Sequence, residues 1–211
     1  MHYKIIATGS KGNAVVLNDY ILVDCGVPFK KLKDNYRDIK IVLLTHIHSD
    51  HFNRSTIRRL ARDRPTLRFG CCSWLVADLL ECGVSKRNID VYEIGKVYDY
   101  KAFKVSPIKL YHDVPQCGYR IFADGKKAMY ATDTAHLQGI SAKGYDLYLL
   151  EANYEQSELQ ERIRAKEENG GYIYEYNIPD RHLSKEQADE FIFENMGANS
   201  KYVYLHEHRE E

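Results

Sequence analysis

A layered α/β domain is the fold class this 211-residue sequence predicts. Three observations predict it. Short apolar runs bounded by Gly, Pro, Asn and Asp recur through the early and middle chain, the pattern of strands. Stretches of helical composition are inserted between groups of those runs. One run, IKIVLLT at 39–45, is almost continuously β-branched or leucine, as expected for a strand covered on both faces. Such a mixture hides its apolar faces by packing helices against sheets.

Each element has a local reason. Residues 2–8 and 14–17 are apolar enough for strands, with the GSKGN turn of 9–13 between them. Residues 20–24 form a third strand, stopped by Gly26 and Pro28. The run 39–45 is the fourth, and it delivers the chain to HIHSDH. Residues 55–64 have helical composition and end before Pro65, which cannot continue a helix. Residues 73–82 form a second helix with Gly83 as its stop. Strands return at 102–110, 118–123 and 127–132, and Asp124-Gly125 is a hairpin turn pair that tolerates positive φ at both positions. Residues 146–150 are a further buried strand, and 155–168 a charged helix. Ser184 is the expected N-cap of the helix 184–196, Gln187 completes a capping box, and Gly197 is the expected stop. Residues 202–206 make the last strand, and GGYIYEYNIPD at 170–180 is the expected long loop. No repeat of solenoid length is present, so one domain over 1–211 is expected.

Composition narrows the function classes. Lys plus Arg and Asp plus Glu each total 30, a net charge of zero. That balance argues against a strong non-specific grip on long nucleic acid, which needs many basic contacts. No apolar run reaches the length of about 18 residues that a membrane span needs. The start, MHYKIIATGSKGN, reads as strand and turn and lacks the pattern of a secretion signal. The five cysteines, at 25, 71, 72, 82 and 117, form no CxxC pair. Reduced thiols in a cytoplasmic protein are therefore expected.

The chemistry concentrates after the buried run. His46, His48 and His51 fall within six residues, with Asp50 among them. Imidazole and carboxylate are the donors a borderline divalent ion prefers. On extended backbone His46, His48 and Asp50 share a side and His51 points elsewhere, so the motif can serve two metals.

THIHSDH at 45–51 resembles the signature of the metallo-β-lactamase superfamily. The likeness runs from residue 9 to residue 206. His112 in YHDVPQCGY matches the family's third-motif histidine, Asp133 in YATDTA its bridging aspartate, and His206 in VYLHEH its C-terminal ligand, with His208 as the nearest rival. Asp24 in LVDCG matches an aspartate that supports a ligand histidine. The resemblance implies an αββα four-layer sandwich with the site along one edge. It implies two divalent ions, Zn2+ or Mn2+, with iron as an alternative. His46, His48 and His112 would hold one, Asp50, His51 and His206 the other, and Asp133 would lie between. Redox di-iron relatives carry glutamate where this chain has His48, so the pattern is that of the hydrolases.

GSKGN at 9–13, LEANY at 150–154 and RHLSKEQA at 181–188 resemble YycJ/WalJ-like proteins and, more distantly, tRNase Z-like enzymes. This implies a phosphodiesterase acting on nucleic acid ends, in the manner of an exonuclease, or on small nucleotides; the oligomeric state stays open, a homodimer being common among such relatives. Asp50 would orient or deprotonate the attacking water and His182 would assist the leaving oxygen, with Glu151 close by. A cyclic-nucleotide phosphodiesterase is the alternative, followed by a thioester or lactone hydrolase and by a non-catalytic binding protein. No long Gly- and Pro-rich arm of the tRNase Z-like kind is present, which disfavours tRNA tail removal. Two lesser features remain open. Arg54, Arg58 and Arg62 form one helix face, either solvated or phosphate-guiding. Tyr172, Tyr174 and Tyr176 alternate, suiting base stacking, one side of a strand, or a dimer contact.

Overall fold

The first of two six-stranded sheets is built in chain order from β1 (Tyr3–Ala7), β2 (Ala14–Leu17), β3 (Ile21–Val23), β4 (Ile41–Leu43), β5 (Arg68–Cys72) and β6 (Ile89–Tyr92). The second orders β7 (Tyr98–Asp99), β8 (Phe103–Lys109), β9 (Cys117–Ala123), β10 (Lys126–Ala131), β11 (Leu147–Glu151) and β12 (Lys201–Leu205). The computed structural model from which this is read describes residues 1–170 and 172–206. His208 lies outside the described residues.

Each sheet begins antiparallel and ends parallel. β1 to β3 and β7 to β10 pair by antiparallel neighbours. β3 to β6 and β10 to β12 are parallel. Parallel neighbours need a crossover, and the helices supply several. α1 (Phe29–Leu32) leads into β4, α2 (Arg54–Asp63) into β5 and α3 (Val76–Glu81) into β6. α4 (Gln156–Asn169) and α5 (Lys185–Asn195) together bridge β11 and β12.

The layers follow from side-chain alternation. Ala14 and Val16 of β2 pack with Val42 against α2 and α3, through Ile57, Leu60 and Leu79 and through Leu75 just before α3. Their neighbours Val15, Leu17, Ile41 and Leu43 face the other way and meet Tyr119, Ile121, Tyr130 and Leu149 of the second sheet. Met129, Ala131, Tyr148 and Leu150 face outward again, onto Ala188, Phe191 and Ile192 of α5. Strands covered on both sheet faces explain the unbroken apolar runs. The result is the αββα sandwich.

Several local expectations hold. Asp124 and Gly125 both take positive φ in the β9–β10 turn, and Gly83 does so after α3. The Ser184 capping box forms with Gln187. Gly197, however, is not a left-handed stop. α5 ends with Met196 extended, because the Asn195 carbonyl accepts from Gly144 N and the Tyr148 hydroxyl. β5, β6, β7 and α1 were not among the expected elements. The 170–180 stretch contains a 3-10 turn, Tyr174–Asn177, so its tyrosines do not lie on one side of a strand. No helix among the described residues is long and apolar enough to cross a membrane.

Candidate metal centre

Strand ends converge on one edge of the sandwich. β3 leads into Asp24, β4 through Leu44 and Thr45 into His46, β8 into His112, β10 into Asp133, β11 ends at Glu151, and β12 leads into His206. Asp24, Asp133 and His206 each take positive φ, at 59°, 53° and 55°. For residues other than glycine that conformation costs about 1–2 kcal/mol, and it turns each side chain out of its strand.

A buried frame holds the HIHSDH loop. Asp24 Oδ1 accepts from Thr45 N and Thr45 Oγ1, at 3.0 and 2.9 Å. Its Oδ2 lies 2.7 Å from His51 Nδ1 and accepts from the Tyr130 hydroxyl at 3.0 Å. A carboxylate there makes Nδ1 of His51 the protonated nitrogen and leaves Nε2 its lone pair. Asn13, at the end of the GSKGN turn, approaches from the other side. Its backbone N donates to Asp50 O at 2.6 Å, and its Nδ2 lies 2.8 Å from His51 Nε2 and 3.3 Å from Asp50 Oδ2. Gly26 lets the loop sit this close: a Cβ there would fall 1.6 Å from Asp50 O.

The seven residues expected as ligands come together. His46, His48 and His112 form one group, and Asp50, His51 and His206 another; within each, donor atoms lie within 4.8 Å of one another. Asp133 joins a group with His46 and His51, and a second with Glu151, His182 and His206. His46 Nε2 is buried with no hydrogen-bond partner, and Asp133 Oδ2 has only His51 Nε2, 2.8 Å away, beside it. A buried polar atom left without a partner costs about 1–3 kcal/mol. Converging imidazole and carboxylate donors with unused lone pairs fit a pair of divalent ions.

The electrostatics are tightly balanced. Burial pushes His46 well below the usual imidazole range, with His51 adding to the effect. Burial would lower His51 too, but Asp133 and Asp24 hold it well above its ordinary value. Against the same burial, Asp133, Asp50 and Glu151 raise His206 to about 10. Burial alone would raise the carboxyls of Asp50, Asp133 and Glu151. The adjoining histidines hold all three low instead.

Glu151 is a buried junction. Its Oε2 accepts from Thr134 N and Leu183 N, both at 3.0 Å, and its Oε1 lies 2.7 Å from His182 Nδ1 and 3.1 Å from His206 Nδ1. It thereby ties the loops after β10 and before α5 to the end of β12. The His182 ring stacks on His206 with centroids 5.4 Å apart.

A family model for the β-lactamase superfamily domain matches residues 20–206. This chain belongs to that superfamily. Among its relatives is exodeoxyribonuclease YycJ of Bacillus anthracis, 24% identical over 170 residues, which are 74% of this chain and 64% of that protein. The chain thus matches less than two thirds of that relative's length. Solved structures with the same fold include the metallo-β-lactamase fold protein YhfI from Bacillus subtilis, with a TM-score of 0.73 and 17% identity over 97% of this chain and 85% of that one. Human tRNase Z, short form, aligns with a TM-score of 0.70 and 18% identity over 98% of this chain and 93% of that one.

On this superfamily fold, some residues near the centre had no role in the sequence reading. Asn13 lies in a quoted motif, but only the folded chain shows its amide among the donors. Asp113 Oδ1 lies 3.1 Å from His112 Nε2 and 3.4 Å from His48 Nε2, while its Oδ2 pairs with Arg181 at 3.3 Å. Its adjacency to His112 was the available signal. Other candidates lie apart. Arg54 pairs with Asp78 and Glu81, both on α3, and Arg62 with Asp63. Tyr174 sits under Lys166 Nζ, and the Tyr176 hydroxyl donates to Glu167.

Proposed function

We propose that this chain is a metal-dependent phosphodiesterase that hydrolyses nucleic acid ends in the manner of an exonuclease. One observation carries the reading: a Glu151–His182 pair, with Oε1 and Nδ1 2.7 Å apart, beside two sets of converging donors. The pair stands beside the ligands, where a proton can be given to a leaving oxygen. The likeness to an exodeoxyribonuclease supports the same choice.

The ligands in this reading are His46, His48 and His112 for one ion and Asp50, His51 and His206 for the other, with Asp133 between them. Zn2+, Mn2+ and iron all suit such donors. Bound there, the ions would lower the pKa of water and neutralise charge developing on phosphate. The protein's own groups handle the protons. Asp50, held by Asn13 and His206, orients the attacking water or takes its proton. His182 donates Nδ1–H to Glu151, so its Nε2 is the atom that gives a proton to the leaving oxygen. Asp24 keeps the lone pair of His51 Nε2 turned toward Asp133. A cyclic-nucleotide substrate would use the same groups. The relative acts on DNA by its name, and that favours the strand end.

The test is turnover of single-stranded DNA and of a cyclic-nucleotide panel by the metal-loaded protein. His182→Ala should lower kcat by about 100-fold or more, the usual weight of general acid catalysis. It should leave metal content unchanged. Unchanged kcat in that variant would remove His182 from the chemistry, and faster turnover of a cyclic nucleotide would move the substrate assignment.

A further inference from the structure

Beside His112 the surface opens into a groove of about 510 Å³, within the range of small-molecule sites. Trp74, Ile94, Tyr111 and Pro115 contribute apolar walls, and Lys109 and Gln116 contribute polar groups. The groove is continuous with the metal centre through two short links. Trp74 Nε1 donates to the carbonyl of Thr45 at 3.2 Å, the residue before His46. Tyr111 is the residue before His112, and its ring packs on His136 with centroids 4.3 Å apart. Lys109 Nζ lies 4.9 Å from the same ring. These contacts place the aromatic groups at the edge of the centre. Tyr111 and Ile94 remain 40% and 42% exposed.

We propose that this groove receives the base of one of the two nucleosides flanking the scissile phosphate, stacked on Trp74. The inference rests on the phosphodiesterase reading and names the part of the substrate that the ions do not touch. A nucleobase has a flat π-face and a polar edge, and the groove offers both kinds of partner. Trp74 supplies the face, and the Asp180 carboxylate on the rim accepts from ring or exocyclic N–H groups. Gln116 lines the same groove, and its Oε1 makes no hydrogen bond. Lys109 stands where the next phosphate along the strand can meet an ammonium group.

Trp74 is the chain's single tryptophan, so its fluorescence reports the groove directly. Adenosine monophosphate should quench it saturably, and ribose 5-phosphate should not. This arm needs no turnover, so it reads the groove even where the phosphodiesterase reading fails. A second arm uses dinucleotides with each base removed in turn. Loss of one particular base should raise KM by about 5- to 100-fold, the range that base–aromatic stacking supports, with the other base near neutral. In Tyr111→Ala and Trp74→Leu that base-to-abasic preference should shrink. Tyr111 is exposed enough for its variant to fold if Trp74→Leu does not. Equal fluorescence response to both ligands, or no response, overturns the proposal. So does hydrolysis indifferent to the loss of either base, and that result leaves the phosphodiesterase standing. Hydrolysis of no phosphodiester at all sinks the underlying function and leaves the fluorescence result to decide the groove.

Discussion

Replacing Asp24 with asparagine should separate metal affinity from folding. Asp24 is fully buried and accepts four hydrogen bonds, from Thr45 N, Thr45 Oγ1, His51 Nδ1 and the Tyr130 hydroxyl. Asparagine fills the same volume and tolerates the positive φ of 59°. Its oxygen can keep the two Thr45 bonds. Its amide nitrogen then faces Tyr130 and His51. The Tyr130 hydroxyl can rotate to accept. His51 can accept only by moving its proton from Nδ1 to Nε2, the atom facing Asp133. That tautomer has no lone pair for a cation. Loss of such a supporting carboxylate lowers metal affinity by about 10- to 100-fold, or about 1.4–2.8 kcal/mol. Folding of the metal-free protein should lose only about 1–3 kcal/mol, the cost of one buried polar mismatch. Competition with a chromophoric chelator reads the first quantity, and thermal melting the second. A folded Asp24→Asn protein with affinity within about threefold of wild type would refute the tautomer argument.

Other substitutions and conditions test separate parts of the account. Gly26→Ala should cost about 3 kcal/mol or more by forcing the HIHSDH loop off Asp50 O. Gly83→Ala, with open space around its Cβ and only a φ of +82° to violate, should cost about 1–2 kcal/mol by chemical denaturation. Tyr148→Phe removes a buried hydroxyl that donates to Ala142 O or Asn195 O and accepts from Tyr145 N. Its melt should report a loss of about 1–3 kcal/mol with metal affinity unchanged. In the metal-free protein His51 and His206 are held above the usual 6.5, the latter at about 10. The stability they contribute is complete below pH 6.5 and lost as pH rises toward about 10, so melting should fall across that window. Metal loading near neutral pH should then release protons, measurable by calorimetry in buffers of different ionisation enthalpy. Binding without proton release would contradict this.

Much of the fold can be read where burial dictates pattern. IKIVLLT announces a strand between two layers because both of its faces are covered, and Val42 against Ile41 and Leu43 shows the alternation. Asp124-Gly125 and the Ser184 box are legible because their chemistry is local. β5, RFGCC, escapes because it is short, starts on arginine and contains a glycine, which exists there to admit the Tyr92 ring. β6, IDVY, lies at a sheet edge with Val91 48% exposed, so no apolar period marks it. Gly197 misleads because the end of α5 is satisfied by Tyr148 and Gly144, which are distant in sequence. At the centre, residue types and order point to the seven converging donors. The junction made by Glu151, the amide of Asn13 and the position of Asp113 depend on which strand ends meet, and one-dimensional spacing carries no record of that.

The central claim is best met by one measurement, the hydrolysis of end-labelled single-stranded DNA by protein loaded with two equivalents of Mn2+ or Zn2+, beside His48→Ala. The account predicts progressive shortening from the end by the wild type, and its loss in the variant together with the loss of metal. Intact DNA after incubation with a folded protein carrying both ions would contradict it.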